Sequence, residues 1–119
     1  MPVTLVIHGG AGNVIPATVN GKDAEYTQSL KAALDAGYKV LDGGGAAMDA
    51  VVAAIVELEN NPLFNAGRGA VFTKKGLNEM DAALMNGKTL EAGAIAGVRN
   101  IKNPIMLARE VMLHSNHVF

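Results

Sequence analysis

The sequence predicts an α+β fold, with helices laid on a sheet. Three observations carry this. A β-branched apolar run, Val3-Thr-Leu-Val-Ile7, stands near the N-terminus. Two long segments with helical spacing come next. Several short apolar runs broken by turn residues follow, then one last helical segment. Strands grouped after helices, instead of alternating with them, favour α+β over a strict βαβ order.

Each element has its own signal. Val3–Ile7 is expected as a buried strand, because it is apolar throughout and stops at a glycine cluster, Gly9, Gly10 and Gly12. Asn13–Gly21 contains Pro16 and ends in an Asn-Gly pair, so it reads as a loop. From Ala24 to Leu41 the apolar residues Tyr26, Leu30, Ala33, Leu34, Tyr38 and Leu41 share one helical face, opposite Glu25, Lys31 and Asp35. Asp23 is expected to cap this helix and Gly43-Gly44-Gly45 to end it. Ala46–Leu58 is apolar nearly all round, which predicts a helix buried on most sides. Asn60-Asn61-Pro62 stops it, since a residue preceding proline avoids helical geometry. Leu63–Gly69 is a loop, Ala70–Thr73 a short strand and Lys74-Lys75-Gly76 a turn. Met80–Met85 and Gly93–Val98 are strands, and the intervening Asn86-Gly87 signals a hairpin. Asn103 followed by Pro104 opens a helix through about Leu113, with asparagine as the cap and proline at the first helical position.

Composition narrows the function. With 119 residues, half of them hydrophobic, the chain suits one small domain with a single core. The net charge of −1 and the scattered basic residues argue against nucleic-acid binding. Without cysteine there is neither a disulfide framework nor a thiolate metal site. No apolar stretch is long enough to span a bilayer, and Val3–Ile7 is too short for a signal sequence, so the expectation is no membrane and a cytoplasmic location. The apolar end at Val118 and Phe119 reads either as a cut or continuing chain, or as Phe119 docked on the core.

Two glycine-rich segments are candidates for chemistry. His8-Gly-Gly-Ala-Gly12 directly after a strand can bring backbone N–H groups close to a ligand. It is not a dinucleotide fingerprint, because Ile15 stands where the third glycine belongs. Nor does it serve a lipase-like esterase, since neither Ser29 nor Ser115 lies in a nucleophile elbow. A purely structural turn is the equal alternative. In Leu63-Phe-Asn-Ala-Gly-Arg-Gly-Ala70, Asn65 offers a donor and an acceptor that could hold a nucleophile or a substrate amide, or simply cap the loop. Asp49 and Asp81 read first as carboxylates satisfied by structural hydrogen bonds. His114 and His117 have a metal-compatible spacing but no third ligand, so a solvated helix end is the better reading. No nucleophile is evident: none of Thr4, Thr18, Thr27, Thr73 and Thr89 begins a chain, as a threonine activated by its own α-amine must.

Taken in order, six pieces resemble the plant-type (type 2) asparaginases, also known as isoaspartyl aminopeptidases. They are Ile7–Gly12, Gly44–Ala50, Leu58–Thr73, Met80–Ala82, Ala92–Val98 and Asn103–Arg109, and they span nearly the whole chain. The resemblance implies an N-terminal-nucleophile hydrolase with an αββα sandwich. In that family a precursor cuts itself, and the threonine that begins the downstream β subunit is the nucleophile. Residues 1–119 would then be a single α-subunit segment with no catalytic nucleophile of its own. Its partner would be that β subunit, in an (αβ)2 assembly acting on a small-molecule substrate. The implied reaction is cleavage of the side-chain amide of asparagine and of β-aspartyl dipeptides. Asn65 matches the asparagine that helps hold the threonine, and Gly9, Gly10 and Ala11 match a mobile glycine loop linked to self-cleavage. The backbone carbonyls of Leu58, Glu59, Asn61, Phe64, Ala66 and Arg68 match a structural sodium site, and no organic cofactor is implied. The alternatives are a glycosylasparaginase-like hydrolase, or a non-enzymatic α/β domain that binds an anion or other ligand at its glycine loop.

Overall fold

The computed structural model describes residues 2–11 and 21–119. Gly12 and the expected loop up to Asn20 lie outside the described residues, as does Thr18. Mixed helix and strand are present, as an α+β reading requires. The order is α1 (Asp23–Asp42), α2 (Ala47–Asn60), a single 3₁₀ turn (Gly67–Gly69), β1 (Met80–Met85), β2 (Ala92–Val98) and α3 (Pro104–His114). None of these helices is long and apolar enough to cross a membrane.

α1 and α2 form an antiparallel pair that meets through small residues. Ala33 and Gly37 of α1, and Ala50 and Ala54 of α2, are all buried. Gly37 marks the closest approach: a Cβ there would lie 2.6 Å from Leu5 Cδ2 and 2.8 Å from the Ala50 carbonyl oxygen. The connection is compact because α1 ends on Gly44 at φ +80°. There the Gly44 N–H donates to Leu41 O and the Gly45 N–H to Val40 O, at 2.9 and 2.8 Å. Left-handed geometry costs glycine little, and these bonds satisfy two carbonyls that the helix end leaves open. Asp23 is the first helical residue, not the cap. Lys22 stands at the N-cap without a side-chain bond, and Asp23 and Glu25 act only as first-turn charges favourable to the helix dipole.

α2 is less enclosed than its composition predicts. Val52 is buried, but its neighbour Val51 is 38% exposed. A helix that is apolar nearly all round has more apolar surface than α1, α3 and the hairpin cover here. Its inner face joins the main core, where Val52, Leu84, Ile105 and Met112 pack together, with Met48, Ile55, Val56 and Ala82 around them.

β1 and β2 form the expected antiparallel hairpin, with Ala83 opposite Ala94 and Leu84 opposite Gly93. α3 lies tightly against it. A Cβ on Gly93 would overlap the Ala108 carbonyl and lie 2.5 Å from the Met112 nitrogen. The turn is longer than a two-residue Asn-Gly loop. The Asn86 N–H donates to Glu91 O, and Asn86 Oδ1 accepts from the N–H groups of Lys88 and Thr89. The left-handed residue is Leu90, at φ 63°. The ladder also shifts between Met80 and Ala82. There Asp81 Oδ1 accepts the Gly97 N–H at 2.9 Å, a structural bond of the kind expected for this carboxylate.

Two expected strands differ. Ala70–Thr73 contributes only an isolated bridge between Phe72 and Asn78. Val3–Ile7 has no ladder partner among the described residues. It runs along α1 and α2 with Leu5 and Ile7 half-buried and Val6 82% exposed. The alternation is that of a strand, yet the segment is not buried, because only one of its faces meets the helices. Phe119 is 78% exposed and does not dock on the core, while the Val118 carbonyl accepts the Ala94 N–H at 2.6 Å on β2.

Candidate functional site

The two glycine-rich segments meet. A cavity of about 530 Å³ is lined by Gly9, Gly10 and Ala11 on one side and by Phe64, Asn65 and Ala66 on the other, with Tyr26 of α1 at its wall. Leu63–Gly69 reaches this position because α2 stops at Asn61-Pro62 and the loop is then tied down. Asn61 Oδ1 accepts the Leu63 N–H at 2.9 Å, and Asn61 Nδ2 donates to Ser29 Oγ on α1 at 2.8 Å. Phe64 is buried and packs edge-on against Tyr26, with ring centroids 6.0 Å apart. The same ring supports the glycine segment: a Cβ on Gly9 would stand 3.2 Å from Phe64 Cε1 and 3.1 Å from Leu30 Cδ2.

Asn65 is exposed, and its orientation is set by a donor. The Val71 N–H points at the side chain 3.0 Å away, so the atom facing it must be Oδ1. Nδ2 is thereby turned away from Val71, and no hydrogen bond to it is formed among the described residues. The cavity is thus lined by an amide with two N–H donors to give, suited to a hydroxyl or carbonyl oxygen. Gly10, at φ +122°, donates its N–H to His8 Nδ1 at 3.0 Å, which makes Nδ1 the acceptor nitrogen of that ring.

The carbonyl-bearing segment from Leu58 to Arg68 folds tightly on itself. Leu58 O accepts the Asn61 N–H, Asn61 O the Phe64 N–H, Phe64 O the Ala66 N–H and Ala66 O the Gly69 N–H. Each of these oxygens keeps a second lone pair. Gly67, at φ +50°, lies against Glu59, so that a Cβ there would overlap the Glu59 carbonyl. Uncharged oxygens gathered on a tight loop are the donor type a hard cation takes. Among the described residues, no group of three His, Asp or Glu side chains is placed to hold a metal.

The other candidates are spread out. Asp49 is half-exposed and pairs with Arg109 at 2.6 Å, linking α2 to α3. His114 lies within 3.3 Å of Glu110 on the exposed end of α3, and the His117 N–H donates to Ser115 Oγ. Thr73 closes a turn with Leu77, and Thr89 Oγ1 donates to Glu91.

The side chain of Glu59 was not legible as a functional group. It is 3% exposed. Oε1 accepts the Ile105 N–H at 2.9 Å and Oε2 accepts Asn103 Nδ2 at 3.1 Å. Burial pushes its carboxyl above the usual 4.5, against the lowering effect of those two bonds. Asn103 stands at the N-cap of α3 as expected, but its side chain does not cap. The carboxylate from α2 meets the α3 backbone instead. No local pattern announces a partner so distant in the chain. The one available signal was a second acid, after Glu57, in the last turn of a largely apolar helix.

The whole chain, residues 1–119, matches a family model described as Asparaginase. An isoaspartyl peptidase/L-asparaginase of Xenopus laevis is 46% identical over 99% of this chain and 37% of its own length. An isoaspartyl peptidase of Salmonella typhimurium is 45% identical over 96% and 37% respectively. A plant-type L-asparaginase of Pyrococcus horikoshii is 49% identical over 98% and 37%. The chain therefore spans a little over a third of the length of these curated relatives.

Proposed function

Because this chain belongs to the asparaginase family, we propose that it is the α-subunit part of a self-processed hydrolase acting on asparagine and β-aspartyl dipeptides. The observation that carries this reading is the meeting of Gly9–Ala11 with Asn65 across one cavity, with the Asn65 amide oriented by Val71.

The nucleophile in this reading is the first threonine of a β subunit, released when the precursor cuts itself. Its hydroxyl attacks the side-chain amide carbonyl of asparagine, or the isopeptide carbonyl of a β-aspartyl dipeptide. Its own α-amine takes the hydroxyl proton. The leaving ammonia or amine carries a proton away, and an aspartyl ester remains. Water then adds to the ester and releases aspartate. Asn65 Nδ2 would steady the nucleophile's oxygen, and the glycine segment would let the backbone come close during self-cleavage. Substrate and oxyanion contacts would lie on the β subunit, inside an αββα sandwich and a cytoplasmic (αβ)2 assembly.

A sodium ion is part of the same proposal. The carbonyls of Leu58, Glu59, Asn61, Phe64, Ala66 and Arg68 would hold it and so stiffen the loop that carries Asn65. The tight fold of residues 58–69 and its uncharged oxygens fit such an ion.

Intact-mass analysis of the full-length gene product, with N-terminal sequencing of each species, tests the reading. Two chains are expected, the second beginning with threonine, together with release of aspartate from a β-aspartyl dipeptide. A single uncut chain with no hydrolysis of either substrate class would overturn it.

A further inference from the structure

Glu59 joins two parts of the molecule that the chemistry needs in register. Through its carboxylate it holds the start of α3: Oε1 accepts the Ile105 N–H, and Oε2 accepts Asn103 Nδ2, which also donates to Asn60 Oδ1 at 3.2 Å. Through its backbone it abuts the loop, since Gly67 packs directly on the Glu59 carbonyl and lies so near the Glu59 Cβ that a side chain at 67 would be 2.7 Å from it. Glu59 and Asn65 also line one further cavity, of about 220 Å³, together with Asp81 of β1. The loop that carries Asn65 is thus anchored at one point to α3, and through α3 to the sheet.

The geometry points to Glu59 as a positioning residue that sets the placement of Asn65 by locking the loop to the N-terminus of α3. This rests on the function proposed above, in which Asn65 acts on the nucleophile. A carboxylate suits the task because both of its partners are donors. Glutamine at 59 could still accept from Ile105, but its NH₂ would then face the NH₂ of Asn103 unless the Asn103 and Asn60 amides both turn over, which gives up the two bonds that Asn103 donates to Glu59 and Asn60. Placing aspartate at 103 beside glutamine at 59 restores one acceptor and one donor, with the Asn60 amide turned to donate.

The test uses the full-length protein as wild type, Glu59→Gln, Asn103→Asp and the double variant. Each is assayed on a β-aspartyl dipeptide at a temperature where circular dichroism shows it folded. A misplaced loop lowers kcat and leaves KM within about twofold, because substrate-binding groups lie elsewhere; a loss of roughly tenfold or more in kcat is expected for each single variant. The double variant is expected to recover most of that loss. Amide hydrogen exchange supplies a readout independent of activity. Glu59→Gln should speed exchange at Ile105 and also at Val71, whose N–H reports the Asn65 bond, while Gly44 and Gly45 between α1 and α2 keep their wild-type rates. A folded Glu59→Gln enzyme with wild-type kcat, or faster exchange at Ile105 with none at Val71, would overturn the proposal. If the wild type proves to have no hydrolase activity, the function fails, and the exchange pattern still decides whether Glu59 positions the loop.

Discussion

Val3–Ile7 and β2 make an instructive pair. The first is built from Val, Leu and Ile, residues that favour strands. The second, Ala-Gly-Ala-Ile-Ala-Gly-Val, is rich in residues that strands disfavour. Yet β2 lies in a ladder, and Val3–Ile7 has none among the described residues. The difference is what stands alongside. β2 has β1 within hydrogen-bonding reach and α3 pressed on its face, where Gly93 leaves no room for a side chain. Val3–Ile7 has two helices under one face and, among the described residues, no strand beside it. Strand formation here follows pairing and coverage, and residue preference comes second.

The largest way to break this contrast is Gly93→Ala. The new methyl would meet the Ala108 carbonyl and the Met112 nitrogen, both backbone atoms that cannot rotate away. A loss of about 3 kcal/mol is expected from forcing α3 off the sheet, read from urea unfolding of the full-length protein. A change under about 0.5 kcal/mol, the range of ordinary surface substitutions, would mean that α3 is not seated on β2 as described.

Gly37→Ala probes the other region and should cost less, about 1–2 kcal/mol. One of its clashes is with the end of the flexible Leu5 side chain, though the other is with the Ala50 carbonyl. Pairing it with Leu5→Ala sharpens the comparison. Because the new methyl would meet the end of Leu5, trimming Leu5 should relieve part of its cost, so the double variant should lose less stability than the sum of the two single losses. Full additivity would show that Leu5 and Gly37 do not touch.

The smallest effect is one of pH. Burial raises the Glu59 carboxyl above 4.5, so the folded protein holds that proton to higher pH than the unfolded chain does. The group's contribution to stability is therefore fully present below pH 4.5 and is lost as pH rises through the folded value. Urea midpoints of wild type minus Glu59→Gln should decline over that window, other titrations being common to both. A flat or rising difference would contradict the assigned environment of Glu59.

Much of this architecture was legible because the signals were local. Helical spacing located α1, α2 and α3 to within a few residues, and two apolar runs flanking Asn86-Gly87 located the hairpin. The details that were missed depend on partners far away in the chain. Asn103 looks like a cap until Glu59 arrives from another helix and occupies its amide. Val3–Ile7 looks buried until one asks what covers Val6. Within the candidate site, the sequence singled out Gly9–Ala11 and Asn65, and the fold brings them to one cavity. It offered no hint that Phe64 and Tyr26 would form the wall between them.

That wall has an evolutionary consequence. The Leu30 side chain and the Phe64 ring together crowd the space into which a side chain at position 9 would grow, and Phe64 is the immediate neighbour of Asn65. A larger residue at 9 must therefore be matched by room made at 30 or 64, and only the second of these moves the neighbour of the Asn65 amide. Three positions far apart in the chain thus share one small volume, and the freedom of each to change depends on what occupies the other two.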